Sequence, residues 1–483
     1  MTDLQPLPRS LDPLSDEVLP GYLLRLAHRL DRSPGRILQL TGLTGGNAQY
    51  PSRTSIDLMI ELNPATADAF GRLTRLSPQE TAALCLRALT PRYPIPPLAT
   101  TWQGRTNQIM RADWWILSTS SRYCPLCLAG DESPIQQDHG GPWRRSWRLP
   151  VVFACTRHDQ LLQHVCPDCG RPTHNTIAGT GRIPLMQALR VAGMHPAQCR
   201  SHGSNGTSGI IRGVPSICGA RLDTPIGSIT LPRETLILQD RISGLLASDG
   251  PTAVMSAGQT TEPARYFADL RLLTLLITLS WPRAAPMAPS SHLAEAIDRH
   301  VALYTQSEQS THLPAWVAQG NTLIRTMDPA ATAGLLSIAD RIITTPDTLA
   351  TRANIQSLLQ FSGQFNRFSR WQVHFLQSNA RSDCSPGLLR AVIPLVQAFP
   401  RQGRQARRAP QLKPRFGPEH VPQRLPDDLF QHYLSHLGGI SPSLLRRTAA
   451  VRLVQMINGG PLAAAAQYLG LSTKVVPDGL SIP

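Results

Sequence analysis

The chain has 483 residues, enough for roughly two to four domains with cores of their own. Its formal net charge of +15 attracts polyanions and makes nucleic acid the default partner. The most apolar run, Leu270 to Leu279, is too short to span a bilayer and carries Arg271, and the start Met1-Thr2-Asp3-Leu4-Gln5-Pro6 lacks the regions of a secretory signal, so a cytoplasmic protein without membrane contact is expected.

In chain order, residues 1–17 are Pro-rich and polar and predict a loose tail. Tyr22 to Leu30 predicts a short amphipathic helix. Ser33-Pro34 then supplies an N-cap followed by Pro at the first helical position. These two segments, 20–30 and 34–41, are a helix-turn-helix candidate within an N-terminal helical region, 1–121. Ser77-Pro78-Gln79-Glu80 is a capping box that opens a helix through about Arg87. Pro91, Pro94, Pro96 and Pro97 then break the pattern.

The next segment, 122–223, carries the strongest signal. Seven of the nine cysteines fall here and, with one histidine, form two consecutive metal-ligand quartets. The first is Cys124 and Cys127, then Cys155 and His158. The second is Cys166 and Cys169, then Cys199 and Cys218. A Cys-x-x-Cys turn grips one ion from a single bend, and a second pair closes a tetrahedral site with no position left for substrate. The bland alternatives are buried thiols or disulfides, which an unexported chain does not favour, or a thioredoxin-like motif, which needs a βαβ setting. The histidine and the ribbon-like spacing put zinc ahead of an iron–sulfur cluster, so two structural Zn²⁺ are expected. For the eighth ligand, Cys218 sits in a second knuckle turn, and His202 of Cys199-x-x-His202 is the competitor. Leu149 to Cys155 and Leu161 to Cys166 fit short ribbon strands, and Leu185 to Val191 predicts a short helix.

The same residues carry a family resemblance. The segments Arg122-Tyr123-Cys124-Pro125-Leu126-Cys127-Leu128, Arg145-Ser146-Trp147-Arg148-Leu149-Pro150, Cys155-Thr156-Arg157-His158, Leu161-Leu162 and Cys166-Pro167-Asp168-Cys169-Gly170 resemble the core of the TniQ family. Leu19-Pro20-Gly21-Tyr22-Leu23-Leu24-Arg25-Leu26-Ala27 is similar to that family's opening, without its usual preceding Gly-Glu. The resemblance is specific over about residues 15–220. It implies a transposon target-selection protein, either of the TnsD type that reads an attachment site or of the type that links a CRISPR effector to an AAA+ ATPase. The implied partners are DNA, a DNA-bound effector complex and the transposition ATPase. Trp143 and Trp147 are candidates for a protein contact, because Trp and Arg are enriched at binding hot spots, or else they pack the metal module.

From about 230 to 400, apolar residues recur at helical spacing, as in Leu236, Leu238, Ile242 and Leu245, and in Leu388, Leu389, Val392, Leu395 and Val396, giving a helical domain over 224–400. Residues 401–424 hold Arg401, Arg404, Arg407, Arg408, Lys413, Arg415 and Arg424 among prolines, and read as a basic linker or a phosphate-touching arm. In 425–483, Ser443 to Ile457 is a basic helix with Arg446, Arg447 and Arg452, the candidate DNA contacts. Asn458-Gly459-Gly460 forms a turn, and Pro461 to Leu469 a second helix. This pair resembles two-thirds of a helix-turn-helix, or is a plain helical hairpin. A third helix near Ser472 meets Pro477 and Gly479.

Catalytic signatures are missing. There is no His-Glu-x-x-His, no histidine followed two positions later by Glu, and neither Lys413 nor Lys474 lies in a Walker A context. The sequence therefore predicts a mainly α, multidomain, non-enzymatic protein around a central small tandem zinc-ribbon or zinc-finger module. The expected function is target selection, with a stand-alone zinc-dependent DNA-binding transcription regulator as the alternative.

Overall fold

Proline and a side-chain cap open most of the N-terminal helices. The computed structural model describes residues 5–44, 56–94, 118, 120–174, 185–201, 217–225, 227, 231–307, 328–359, 376, 380, 383–397, 416–435, 441–458 and 462–471. Helix α1 (Leu19–Arg29) has Pro20 in its first turn and buries every residue from Leu19 to Ala27. In α2 (Pro34–Leu40) the Ser33 hydroxyl accepts the Arg36 N–H at 3.3 Å. A short helix α3 (Asp57–Ile60) leads to α4 (Pro64–Thr74), capped by Asn63, and then to α5 (Pro78–Ala83), opened by the Ser77–Glu80 capping box.

Helix α5 is shorter than its capping box suggests. The carbonyl of Leu84 accepts the N–H of Leu19 at 2.8 Å, and that of Cys85 accepts from the Arg145 guanidinium at 3.4 Å. Cys85 is extended, and the chain resumes as a 3-10 turn over Leu86–Leu89. Tertiary partners have taken the carbonyls that a continuing helix would need.

The N-terminal segment is not the loose tail that its prolines suggest. Leu7 and Leu11 are buried, the Leu7 N–H donates to Leu73, and the Tyr22 hydroxyl donates to the Leu11 carbonyl at 3.0 Å. Glu17 and Arg25 form a fully buried ion pair at 2.8 Å. Asp16 accepts from the Arg145 guanidinium and from the Ser146 hydroxyl. A few apolar anchors and two paired carboxylates outweigh a polar composition.

Helices α6 (Pro125–Ala129) and α7 (Pro134–His139) follow, then the hairpin β1 (Ala154–Cys155) and β2 (Gln160–Leu161). The chain then continues as helices: α8 (Arg233–Leu246), α9 (Pro263–Ser280), α10 (Ser291–Ser307), α11 (Pro329–Ile343), α12 (Thr348–Leu359) and α13 (Pro386–Gln397). Leu270 to Leu279 lies inside α9 as a core segment. Helix α11 is buried over most of its length and packs against α9 and α10. The approach is close enough that a Cβ on Gly334 would lie 2.8 Å from Ile297 Cδ1. A second hairpin, β3 (Val254–Ser256) with β4 (Gln259–Thr261), is tied to α9 through the buried Asp269, which accepts from the Ser256 hydroxyl and the Ser385 N–H. The Arg92 guanidinium donates to the carbonyls of Leu245, Ser248, Gly250 and Pro251, covering the C-terminal end of α8.

Contacts divide the chain into two units, 1–393 and 394–483. In the second, α14 (Asp427–Tyr433), α15 (Pro442–Asn458) and α16 (Leu462–Tyr468) surround two small cores. One holds Val421, Val451, Val454, Ala466 and Leu469, and the other Leu425, Phe430, Leu434 and Leu445. Among the described residues strands are few, none exceeds three residues, and no helix is long and apolar enough to cross a membrane.

Candidate metal centres

Each half of the first quartet comes from a tight local structure. Cys124 caps α6, with Pro125 at the first helical position, and its carbonyl accepts the Leu128 N–H at 3.0 Å. That turn lies directly on Gly141, where a Cβ would fall 1.9 Å from the Cys127 carbonyl oxygen, so no larger residue fits. Cys155 closes β1 opposite Gln160, and the His158 N–H returns to the Cys155 carbonyl. Asp159 turns the hairpin at φ 48°.

These pieces bring four donor atoms together. The Cys127 and Cys155 sulfurs are 3.6 Å apart, and His158 Nδ1 lies 3.3–3.4 Å from the sulfurs of Cys124, Cys127 and Cys155. A tetrahedron with metal–sulfur bonds of about 2.3 Å has sulfur–sulfur edges of about 3.8 Å and sulfur–nitrogen edges of about 3.5 Å. Cys124, Cys127 and Cys155 are buried. Gln160 Nε2 lies 3.1 Å from the Cys124 sulfur, and the Arg144 guanidinium 4.0 Å from that of Cys127. Cationic and N–H partners of this kind orient ligand sulfurs and offset their charge.

The second set is held by backbone. The Gly170 N–H donates to the Cys166 carbonyl and the Cys166 N–H to Arg171, with Gly170 at φ +64° closing the turn. Cys199 and Cys218 face each other across a short ladder: Cys199 N–H to Ala220, Gly219 N–H to Cys199 and Cys218 N–H to Ser201. The sulfur pairs Cys166–Cys218 and Cys169–Cys199 are each 3.8 Å apart. In both sets the ligand atoms lie within 4.8 Å of one another, so each could hold a metal ion, with a donor chemistry consistent with zinc. Cys218 joins the second set, and His202 lies outside the described residues. None of the nine cysteines is in a disulfide.

The strands around these sets are much shorter than the apolar runs 149–155 and 161–166 suggest. Only β1 and β2 form, with isolated bridges Tyr123–Gln163, Val165–Pro172 and Gln198–Arg221. The helix predicted over Leu185 to Val191 does not form either. Ala188 adopts φ 53°, and the segment runs as turns. Its carbonyls serve tertiary partners instead: Leu189 accepts the Gly35 N–H at 2.7 Å, and Ala188 accepts from Arg200. Leu185, Met186 and Leu189 are buried, so their spacing marks a packed loop.

Trp143 and Trp147 are packing residues and offer no exposed contact surface. Trp143 is fully buried and Trp147 nearly so. The Trp143 indole N–H donates to the Pro196 carbonyl at 3.0 Å, and its ring stacks on His174 at 3.8 Å. A Cβ on Gly21 would lie 2.7 Å from Trp143 Cβ, so α1 is pressed against this side chain. The candidate DNA-contacting arginines are unequal. Arg446 is 13 % exposed, paired with Asp427 and bonded to the Leu425 carbonyl. Arg452 is half-buried and donates to Gln455, while Arg447 is exposed. Residues 401–415 and the segment after Leu471 lie outside the described residues.

Residues 8–162 match the TniQ family model. The chain carries a TniQ domain. It covers α1 to β2 and contains the whole first quartet, while the second begins just beyond it at Cys166. The TniQ domain is associated with transposition target selection. No curated protein matches the chain.

Several residues that support the first quartet carry no sequence signal. Gln239 on α8 accepts from the backbone just before Cys155, and Arg122 donates to Pro150, to Val152 and to Thr332 on α11. Burial pushes the Arg122 guanidinium down to about 10, which leaves it charged at neutral pH. Such partners lie 86 and 210 positions apart in the chain.

Proposed function

We propose that this protein is a target-selection adaptor for transposition, contacting DNA or a DNA-bound effector with one surface and recruiting a AAA+ ATPase with another. The family match over residues 8–162 carries the reading. Two four-ligand Cys/His sets support it, because a closed tetrahedral site is structural and leaves no open position for hydrolysis. On this reading each set holds one structural Zn²⁺, the sets form a tandem ribbon-like module, and the chain is not an enzyme. The net charge of +15 suits a surface that meets nucleic acid, with the exposed Arg447 and the partly covered Arg452 on α15 as candidate contacts, while Arg446 is held by Asp427 and the Leu425 carbonyl.

The test is affinity capture with a P-loop ATPase and an integrase encoded beside this gene. Specific, saturable binding of the ATPase to the intact zinc-loaded protein is expected. DNA binding without any ATPase contact would instead favour a free-standing transcription regulator.

A further inference from the structure

We propose that the four-cysteine set is a peroxide-sensitive, releasable zinc site, whereas the Cys124–His158 set keeps its metal. The inference rests on the zinc reading above and concerns how the two sets differ.

The first difference is access. Three of the four ligands in the first set are buried cysteines. In the second, Cys166 and Cys199 are buried, but Cys169 and Cys218 are partly exposed, one in each half of the site. The second difference is charge. Zn²⁺ with three thiolates and an imidazole keeps one net negative charge, and Zn²⁺ with four thiolates keeps two, so the latter sulfurs are the better nucleophiles. The third is anchorage. The first set has Gln160 and Arg144 at its sulfurs, Gly141 under its knuckle and Gln239 on its strand. The second is built from a backbone turn, Cys166 to Arg171, and the short ladder that carries Cys199 and Cys218, which the Gln198 side chain braces at the Gly219 carbonyl and not at a sulfur.

The geometry also supplies the product. The sulfur of each partly exposed cysteine lies 3.8 Å from that of a buried one, Cys218 opposite Cys166 and Cys169 opposite Cys199. A disulfide needs the two sulfurs at about 2.05 Å, a movement that side-chain rotation can provide once the metal is gone. The exposed thiolate attacks hydrogen peroxide, forming a sulfenic acid and hydroxide. The facing buried thiolate then attacks that sulfur, forming the disulfide and expelling a second hydroxide. Two electrons pass from sulfur to peroxide, and Zn²⁺ leaves as its thiolates are consumed. The buried cysteine acts as a built-in resolving thiol, which favours a reversible disulfide over further oxidation.

The experiment uses the full-length, zinc-loaded protein, hydrogen peroxide and a chromophoric zinc chelator, with disulfides mapped by mass spectrometry. One zinc equivalent should leave on the order of ten-fold faster than the other, since thiolate oxidation follows exposure. The early disulfides should be Cys166–Cys218 or Cys169–Cys199, and a thiol reductant with zinc should restore the metal. The Cys218→His variant should still load two equivalents but lose the Cys166–Cys218 product and release zinc more slowly. Equal release rates, or early oxidation at Cys124, Cys127 or Cys155, would overturn the proposal while leaving two zinc sites intact. Starting protein with fewer than two zinc ions would instead refute the zinc reading itself.

Discussion

The side-chain carbonyl of Gln239 accepts two successive backbone N–H groups, from Phe153 at 2.7 Å and Ala154 at 3.1 Å. Gln239 is fully buried on α8, and Ala154 directly precedes the ligand Cys155. A side chain of the helical body thus stands in for a neighbouring strand and fixes where the hairpin of the first quartet begins. Leucine at this position would fill the space and leave two buried donors unpaired, each costing about 1–3 kcal/mol. Gln239→Leu should therefore destabilise the protein by about 2–6 kcal/mol and weaken zinc retention at the first set, read by denaturant unfolding and chelator competition. Unchanged retention would show that the hairpin holds its ligands without help from α8.

Metal content is the most direct prediction. Protein made with ample zinc should contain two equivalents, and chelation should unfold segments 122–174, 185–201 and 217–225, because binding energy in such small modules is folding energy, about 10–16 kcal/mol in finger peptides. Elemental analysis and limited proteolysis check this together. Cys166→Ser should lose one equivalent and lower the melting temperature while leaving the first set loaded.

Much of the metal chemistry was legible because three of the four half-sites are short-range motifs, whereas Cys199 and Cys218 are separated in the chain and left His202 as a competitor. Cys124-x-x-Cys127, Cys155-x-x-His158 and Cys166-x-x-Cys169 announce themselves, and the structure places each beside the partner that spacing suggests. Capping residues such as Ser33, Asn63 and Ser77 also act within one helical turn. Reading fails where tertiary bonds decide local structure. Leu185 to Val191 has helical spacing, yet the carbonyls of Ala188 and Leu189 are used by Arg200 and Gly35. The N-terminal strap reads as polar, and nothing local reveals that Leu7, Leu11 and Glu17 have buried partners waiting.

A buried carboxylate and a half-buried histidine should give opposite pH slopes in one window. Burial raises Asp269 to about 6 against the bonds from Ser256 and Ser385 that favour its charge. Between the ordinary carboxylate value and about 6 the folded chain holds a proton that the unfolded chain releases, so this term falls as pH rises, by on the order of 3 kcal/mol in total. Burial first, then Arg221 and His28, lowers His195 to about 4. Between about 4 and 6.5 the unfolded chain binds the proton, so stability is lost as pH falls. His28 and His139, whose rings pack in one row with His195, shift the same way. Asp269→Asn should steepen the gain in stability from pH 4 to 6, and His195→Asn, which keeps an acceptor for the Ala197 N–H, should flatten it. Thermal midpoints across that range distinguish the two.

Burial of Trp143 between Gly21 and His174 makes it a keystone between α1 and the first metal set. Trp143→Ala should cost about 3–5 kcal/mol, the usual price of emptying a core indole site. It should also leave the Pro196 carbonyl without its donor. Melting and zinc content should fall together with any ATPase contact. Loss of partner binding with unchanged melting would contradict the packing role.

The three arginines of α15 should separate into two classes. Arg446 is held by Asp427 and the Leu425 carbonyl, so Arg446→Ala should mainly lower the stability of the second unit. Arg447 is exposed and free to meet phosphate, and Arg452 is only partly covered. If α15 contacts DNA, Arg447→Ala should reduce the slope of log affinity against log salt by about one unit with no change in melting. Arg452→Ala should reduce it less, since its guanidinium also serves Gln455 on the same helix. Binding titrations at several salt concentrations, each paired with a melting curve, make the comparison. A slope unchanged in Arg447→Ala would remove α15 from the DNA surface and leave it as a structural partner of α16, whose Ala465 and Ala466 share its core.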